Sequence, residues 1–89
     1  MHSIELRIAD EFTDALAEIY SDALLSMIYS AVSSLVTFPD SGLPLARKSL
    51  VERYGEDIRQ LTASRYVIVR RYVSDTVDVL ALVYGPSIV

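Results

Sequence analysis

"SRYVIVRRYVSDTVDVLALVYG", residues Ser64 to Gly85, is the stretch that decides the fold. Two aliphatic runs, Val67 to Val73 and Val77 to Gly85, read as a long β-hairpin if Ser74-Asp75 is its two-residue loop. With that loop Arg71 faces Asp78 across the strands, an ion pair worth about a few tenths of a kcal/mol. Val67, Val69, Leu80 and Leu82 then share one face, and Tyr66, Ile68, Val79, Ala81 and Val83 share the other. Both faces are apolar, so both call for cover.

Working outward, "EDIRQLTASRY" reads as a further strand and a turn that leads into the hairpin. "ARKSLVERYGED" is ambiguous, with Leu50 and Val51 seeding a short strand or an irregular excursion. "SIELRIA" alternates, placing Ile4, Leu6 and Ile8 on one side and Glu5 and Arg7 on the other, the mark of a first strand. Asp10 is placed to cap a helix whose stripe is Phe12, Leu16 and Ile19. Ser21 offers a second cap, followed by a longer stripe of Leu24, Leu25, Ile28, Val32, Leu35 and Val36. Pro39 stops this helix, and "FPDSGLP" is a turn-rich loop. Two helices joined by a tight turn are the reading, with one bent helix as the alternative. Tyr20, Met27 and Tyr29 are expected to face outward.

The order is one strand, two helices and three strands: an α+β class, a single domain over residues 1–89 with its helical hairpin packed on a small twisted antiparallel sheet. Two helices cover one face of such a sheet. Four large side chains left wet on the far face would each forgo roughly 1.5–3 kcal/mol of burial. A patch of that kind marks a binding site, or else curvature or a homodimer buries it.

Composition narrows the function classes. The chain is 52% hydrophobic and 22% charged, which places it with globular rather than disordered chains. It has no cysteine, so disulfides, thiolate metal sites and cysteine nucleophiles are excluded together. No glycine-rich phosphate loop or metal-ligand cluster is present, His2 is alone, and no cofactor or metal is expected. With no signal-peptide-like run and no apolar stretch of membrane-spanning length, a cytoplasmic protein is expected. The net charge of −4 argues against nucleic-acid binding driven by bulk charge. Acids crowd the first half, whereas Arg47, Lys48, Arg53, Arg59, Arg65, Arg70 and Arg71 fall between residues 43 and 73. That split is read either as internal complementarity or as a basic surface meeting an acidic partner, with Arg47, Lys48, Arg53, Arg59 and Arg71 as the contacts.

Four segments in sequence carry a resemblance: Ile58-Arg59-Gln60-Leu61, Ser64-Arg65-Tyr66, Val67 to Val73 and Val77 to Gly85. In order and spacing they are similar to the RelE/ParE superfamily, toxins of bacterial type II toxin–antitoxin systems. The resemblance runs over nearly the whole chain. It implies a helical hairpin on a small antiparallel sheet, and a cognate antitoxin whose segment fills the open side of that sheet. The receptor would then be a groove of Val67, Val69, Leu80, Leu82 and Tyr84.

Two branches of the superfamily imply different activities. RelE-like toxins cut messenger RNA on the ribosome, which needs an acid, a base and cations around the phosphate. Arg65, Arg71 and Tyr84 are the candidates for those roles. The branch's arginine after the third-strand aromatic is replaced here by Val67, and after Tyr84 only "GPSIV" remains. ParE-like toxins act by binding, with DNA gyrase as the implied target, and need no catalytic set. The ParE-like reading is preferred: growth inhibition by binding and plasmid stabilisation, with the nuclease as the alternative. A third reading is a non-toxic interaction module or homodimer.

Overall fold

The computed structural model describes residues 3–40 and 47–87. The chain begins with strand β1 (Glu5–Ile8), then helices α1 (Asp10–Leu16) and α2 (Asp22–Thr37). A third helix, α3 (Lys48–Tyr54), precedes the strands β2 (Ile58–Ala63), β3 (Tyr66–Val73) and β4 (Thr76–Tyr84). A single 3-10 turn, Gly85–Ser87, follows. The strands form one sheet in the order β1-β4-β3-β2.

The α+β class expected from sequence is observed. The sheet is mixed rather than antiparallel throughout: β2, β3 and β4 make an antiparallel meander, while β1 lies parallel to β4 with Leu6 opposite Val77. Ser74 and Asp75 both have positive φ, 51° and 61°, as the type I′ loop requires. Arg71 lies opposite Asp78 as expected, with Nη2 3.8 Å from Oδ2.

α1 and α2 are separate helices joined by a short connection. Ser21 caps α2, its Oγ accepting from Leu24 N–H at 3.2 Å. Asp10 is not the cap of α1. Ala9 holds that position without a side-chain bond, and Asp10 is the first helical residue, where its charge still suits the dipole. Ile19 lies beyond the end of α1 yet remains buried. The turn-rich loop after Pro39 lies, beyond Asp40, outside the described residues.

The hairpin differs from expectation at one residue, and the consequence is large. The anticipated register holds from Val73↔Thr76 to Arg70↔Val79, and then Val69 pairs with Ala81. Leu80 therefore has no partner across the strand; it is the extra residue of a β-bulge. Every side chain of β4 beyond it turns to the other face relative to the regular pairing. Leu82 joins Val77, Val79 and Ile68 in a core with Phe12, Ile28, Val32 and Leu35 from α1 and α2. Val67, Val69 and Ala81 face the opposite way.

That opposite face is not open. α3 covers it: Leu50, buried, forms a second core with Ile58, Val67, Val69 and Ala81, flanked by Val51, Tyr54, Leu80 and Val83. The segment read as a short strand or an excursion is a helix because Leu50 and Val51 pair with Tyr54 at helical spacing. Gly55, at φ 108°, ends it in a conformation closed to most side chains. Seven residues are too few for a helix to persist alone, so packing on the sheet is what holds α3.

Candidate partner-binding site

The groove anticipated at Val67, Val69, Leu80, Leu82 and Tyr84 does not exist as one surface. Val67 and Val69 are buried beneath α3 and Leu82 beneath α1 and α2, on opposite sides of the sheet. Leu80, at the bulge, is half-buried beside Val67 and Val69. Tyr84 alone of the five is exposed, and its ring meets that of Tyr66 edge-on, 5.4 Å between centroids. The physical cause is the bulge together with a helix that the sequence did not reveal.

The nuclease candidates divide in the same way. Tyr84 is the cross-strand partner of Tyr66, next in sequence to Arg65, and the Arg65 carbonyl accepts from Gly85 N–H at 2.7 Å. Arg65 and Tyr84 therefore share one end of the hairpin. Arg71 is five residues further along β3, roughly 16 Å away at strand rise. Its guanidinium sits 3.9 Å from Asp57 and 3.8 Å from Asp78. The three side chains are not gathered around a common point.

The five basic contact candidates do not form one patch either. Arg47 stands at the start of α3 and donates through Nη1 to the Gly85 carbonyl at 3.2 Å. Lys48 is exposed on the same turn. Arg53 ties α3 to α1 through Glu11, Nη2 to Oε1 at 2.7 Å, and lies over the Tyr54 ring. Tyr54 donates to the other Glu11 oxygen at 2.5 Å. Desolvation, then the hydrogen bond and charge of Glu11, push the Tyr54 phenol up to about 12, with Arg53 pulling the other way. Arg59 is on the α1/α2 side and donates to the Asp40 carbonyl at 3.0 Å. The acidic first half and basic second half thus meet within the chain at Glu11 and Arg53.

An apolar cleft lies on the surface among the described residues. Ile8, Phe12, Thr13, Leu16, Ile28, Tyr29 and Val32 line a cleft of about 270 Å³ between β1, α1 and α2. Ile8 and Tyr29 are exposed at its rim, and Tyr20 and Met27 are also exposed, as expected from sequence. The Phe12–Leu16 and Ile28–Val32 stripes were legible in sequence. The gap between them depends on how far apart α1 and α2 settle, which residue spacing does not encode. β1 borders the cleft and is an edge of the sheet with four residues. Among the described residues no cluster of histidine, cysteine or carboxylate side chains is arranged to hold a metal ion, and no helix is long and apolar enough to cross a membrane.

No protein-family model and no curated protein matches the sequence. Among solved structures, the chain is similar to a chain of the chromosomal ParDE TA system from P. aeruginosa. The TM-score is 0.65 at 16% identity, over 92% of this chain and 96% of that one. At that identity the match speaks for architecture, and the α+β arrangement described above is that of the ParDE chain.

Proposed function

We propose that this protein is the toxin of a toxin–antitoxin pair, ParE-like, which acts by binding its target and is neutralised by a cognate antitoxin. The observation that carries the reading is the match to a chain of a ParDE TA system over nearly the full length of both chains. The order of the segments around Ile58–Leu61, Ser64–Tyr66 and the terminal hairpin supports the same family. Action by binding is favoured over RNA cleavage because Arg65 and Tyr84 are separated from Arg71 by most of a strand. The target is DNA gyrase in this reading, met in the cytoplasm. Its contacts are Lys48 and Arg53 on α3, Arg47 just before it and Arg71 on the sheet face beneath, with Arg59 left out because it lies on the other face.

The antitoxin is assigned to the cleft of Ile8, Phe12, Leu16, Ile28 and Tyr29 rather than to the hairpin, whose apolar faces the chain fills itself. An apolar stripe in that cleft, with backbone pairing along β1, is a recognised way for one chain to take up a segment of another. Induction in a bacterial host, with and without the reading frame beside this one, tests the proposal. Growth arrest relieved by the neighbour, with the purified protein blocking DNA supercoiling, is the expected result. Ribosome-dependent mRNA cleavage with gyrase unaffected would replace the ParE-like reading by the RelE-like one. No arrest and no binding to the neighbour's product would overturn both.

A further inference from the structure

Arg70 and Arg71 are adjacent, so they point to opposite faces of β3, and their circumstances differ sharply. Arg71 faces Asp57 and Asp78. Arg70 is 0% exposed on the α1/α2 side, and its Nε, Nη1 and Nη2 have no hydrogen-bond partner among the described residues. Its cross-strand neighbour is Arg59, a second cation on the same face. The nearby negative charge is that of Asp40, just beyond the end of α2, whose carbonyl Arg59 already engages at 3.0 Å. Burial, reinforced by Arg59, lowers the affinity of the Arg70 guanidinium for its proton, and Asp40 only partly opposes this.

Buried guanidinium groups are retained where their fork of N–H donors is satisfied, and this one is not. Two cations and one carboxylate leave a surplus of one positive charge. A planar anion with one negative charge neutralises it and matches the guanidinium fork bidentately. Arg59, half-buried, is the outer member of the pair, and exposed Asp40 borders an open recess of about 420 Å³ with Thr37, Phe38 and Pro39, a recess that neither arginine lines.

We propose that Arg70 and Arg59 form a binding site for a carboxylate-class monoanion beside the end of α2. The carboxylate comes either from a free small acid or from the side chain of a docking polypeptide; the chemistry at the guanidinium pair is the same. This site is independent of the cleft beside β1 and of the toxin reading.

Formate, titrated against chloride at constant ionic strength, is the probe. The readouts are the Arg70 Nε–H resonance and the Tm of the isolated chain. The expected result is a saturable shift of that resonance with a rise in Tm, and at least about tenfold weaker binding in Arg59→Gln. Sulfate, tetrahedral and doubly charged, is expected to bind more weakly than formate. Aspartate and an aspartate-containing peptide, compared with formate, distinguish the two sources: a gain confined to the peptide points to a polypeptide side chain. In Arg70→Met the formate response disappears while the folded chain keeps or gains stability, because an unpaired buried charge is removed. An Arg70 resonance indifferent to formate, or Arg59→Gln binding formate as the native chain does, would overturn the proposal. Should Arg70→Met fail to fold, Arg59→Gln and the resonance titration decide it alone.

Discussion

On one side of the sheet lie α1 and α2, a 16-residue helix with a capped start and a 7-residue companion, over a core that includes Phe12, Ile28, Leu35, Ile68 and Val79. On the other side lies α3 alone, 7 residues without a side-chain cap, over Ile58, Val67, Val69 and Ala81. The first side is held by many long side chains from two helices. The second depends on one buried helical anchor, Leu50, and on a strap of polar contacts from Arg53 and Tyr54 to Glu11. The same sheet is thus sealed generously on one face and sparingly on the other.

The largest effect is expected from replacing the central anchors in turn. Leu35→Ala, at a side chain with 0% exposure, should cost about 4 kcal/mol, and Leu50→Ala about 2–3 kcal/mol, by denaturant unfolding. A Leu50→Ala cost near zero would mean that α3 does not close its face. A cost above that of Leu35→Ala would reverse the ranking of the two sides.

Gly85→Ala comes next and acts where the two faces meet. A Cβ there would fall 2.7 Å from the Arg65 carbonyl oxygen and 3.8 Å from Val67 Cγ2. The obstacle is backbone, which cannot swing aside, so about 1–3 kcal/mol should be lost, with the Arg65–Gly85 hydrogen bond weakened. An unchanged unfolding midpoint would show that the hairpin end is looser than described.

The smallest expected effect is on the strap. The Tyr54 phenol is raised from 10.0 to about 12, so folding favours its protonated form. Its contribution is complete below pH 10 and is lost as pH climbs through 12. Unfolding curves across that window should show a steeper alkaline decline for the native chain than for Tyr54→Phe. Parallel declines would remove the strap from the account.

The comparison also explains what was legible in the sequence. The first strand, both long-stripe helices, the Ser21 cap, the Ser74-Asp75 loop and the Arg71–Asp78 pairing follow from period, caps and turn residues, which are local. α3 was hidden because Leu50 and Val51 are adjacent, as in a strand, while the clue for a helix, Tyr54 followed by Gly55, lies at its end. The bulge at Leu80 was hidden because "VDVLALVY" is apolar enough to satisfy either face, so nothing in its pattern marks the extra residue. Those two features together moved Leu82 across the sheet and sealed Val67 and Val69, which dissolved the expected groove. The cleft beside β1 was hidden for a different reason: it is a distance between helices.

The most direct test concerns the thin side, observed in the isolated monomer by methyl NOE spectroscopy. If the chain completes its own second face, Leu50 methyl groups show contacts to the Val67, Val69 and Ala81 cluster without any partner present. Leu50 methyls with solvent-like shifts and no such contacts would contradict the account, and would return that face of the hairpin to an outside chain.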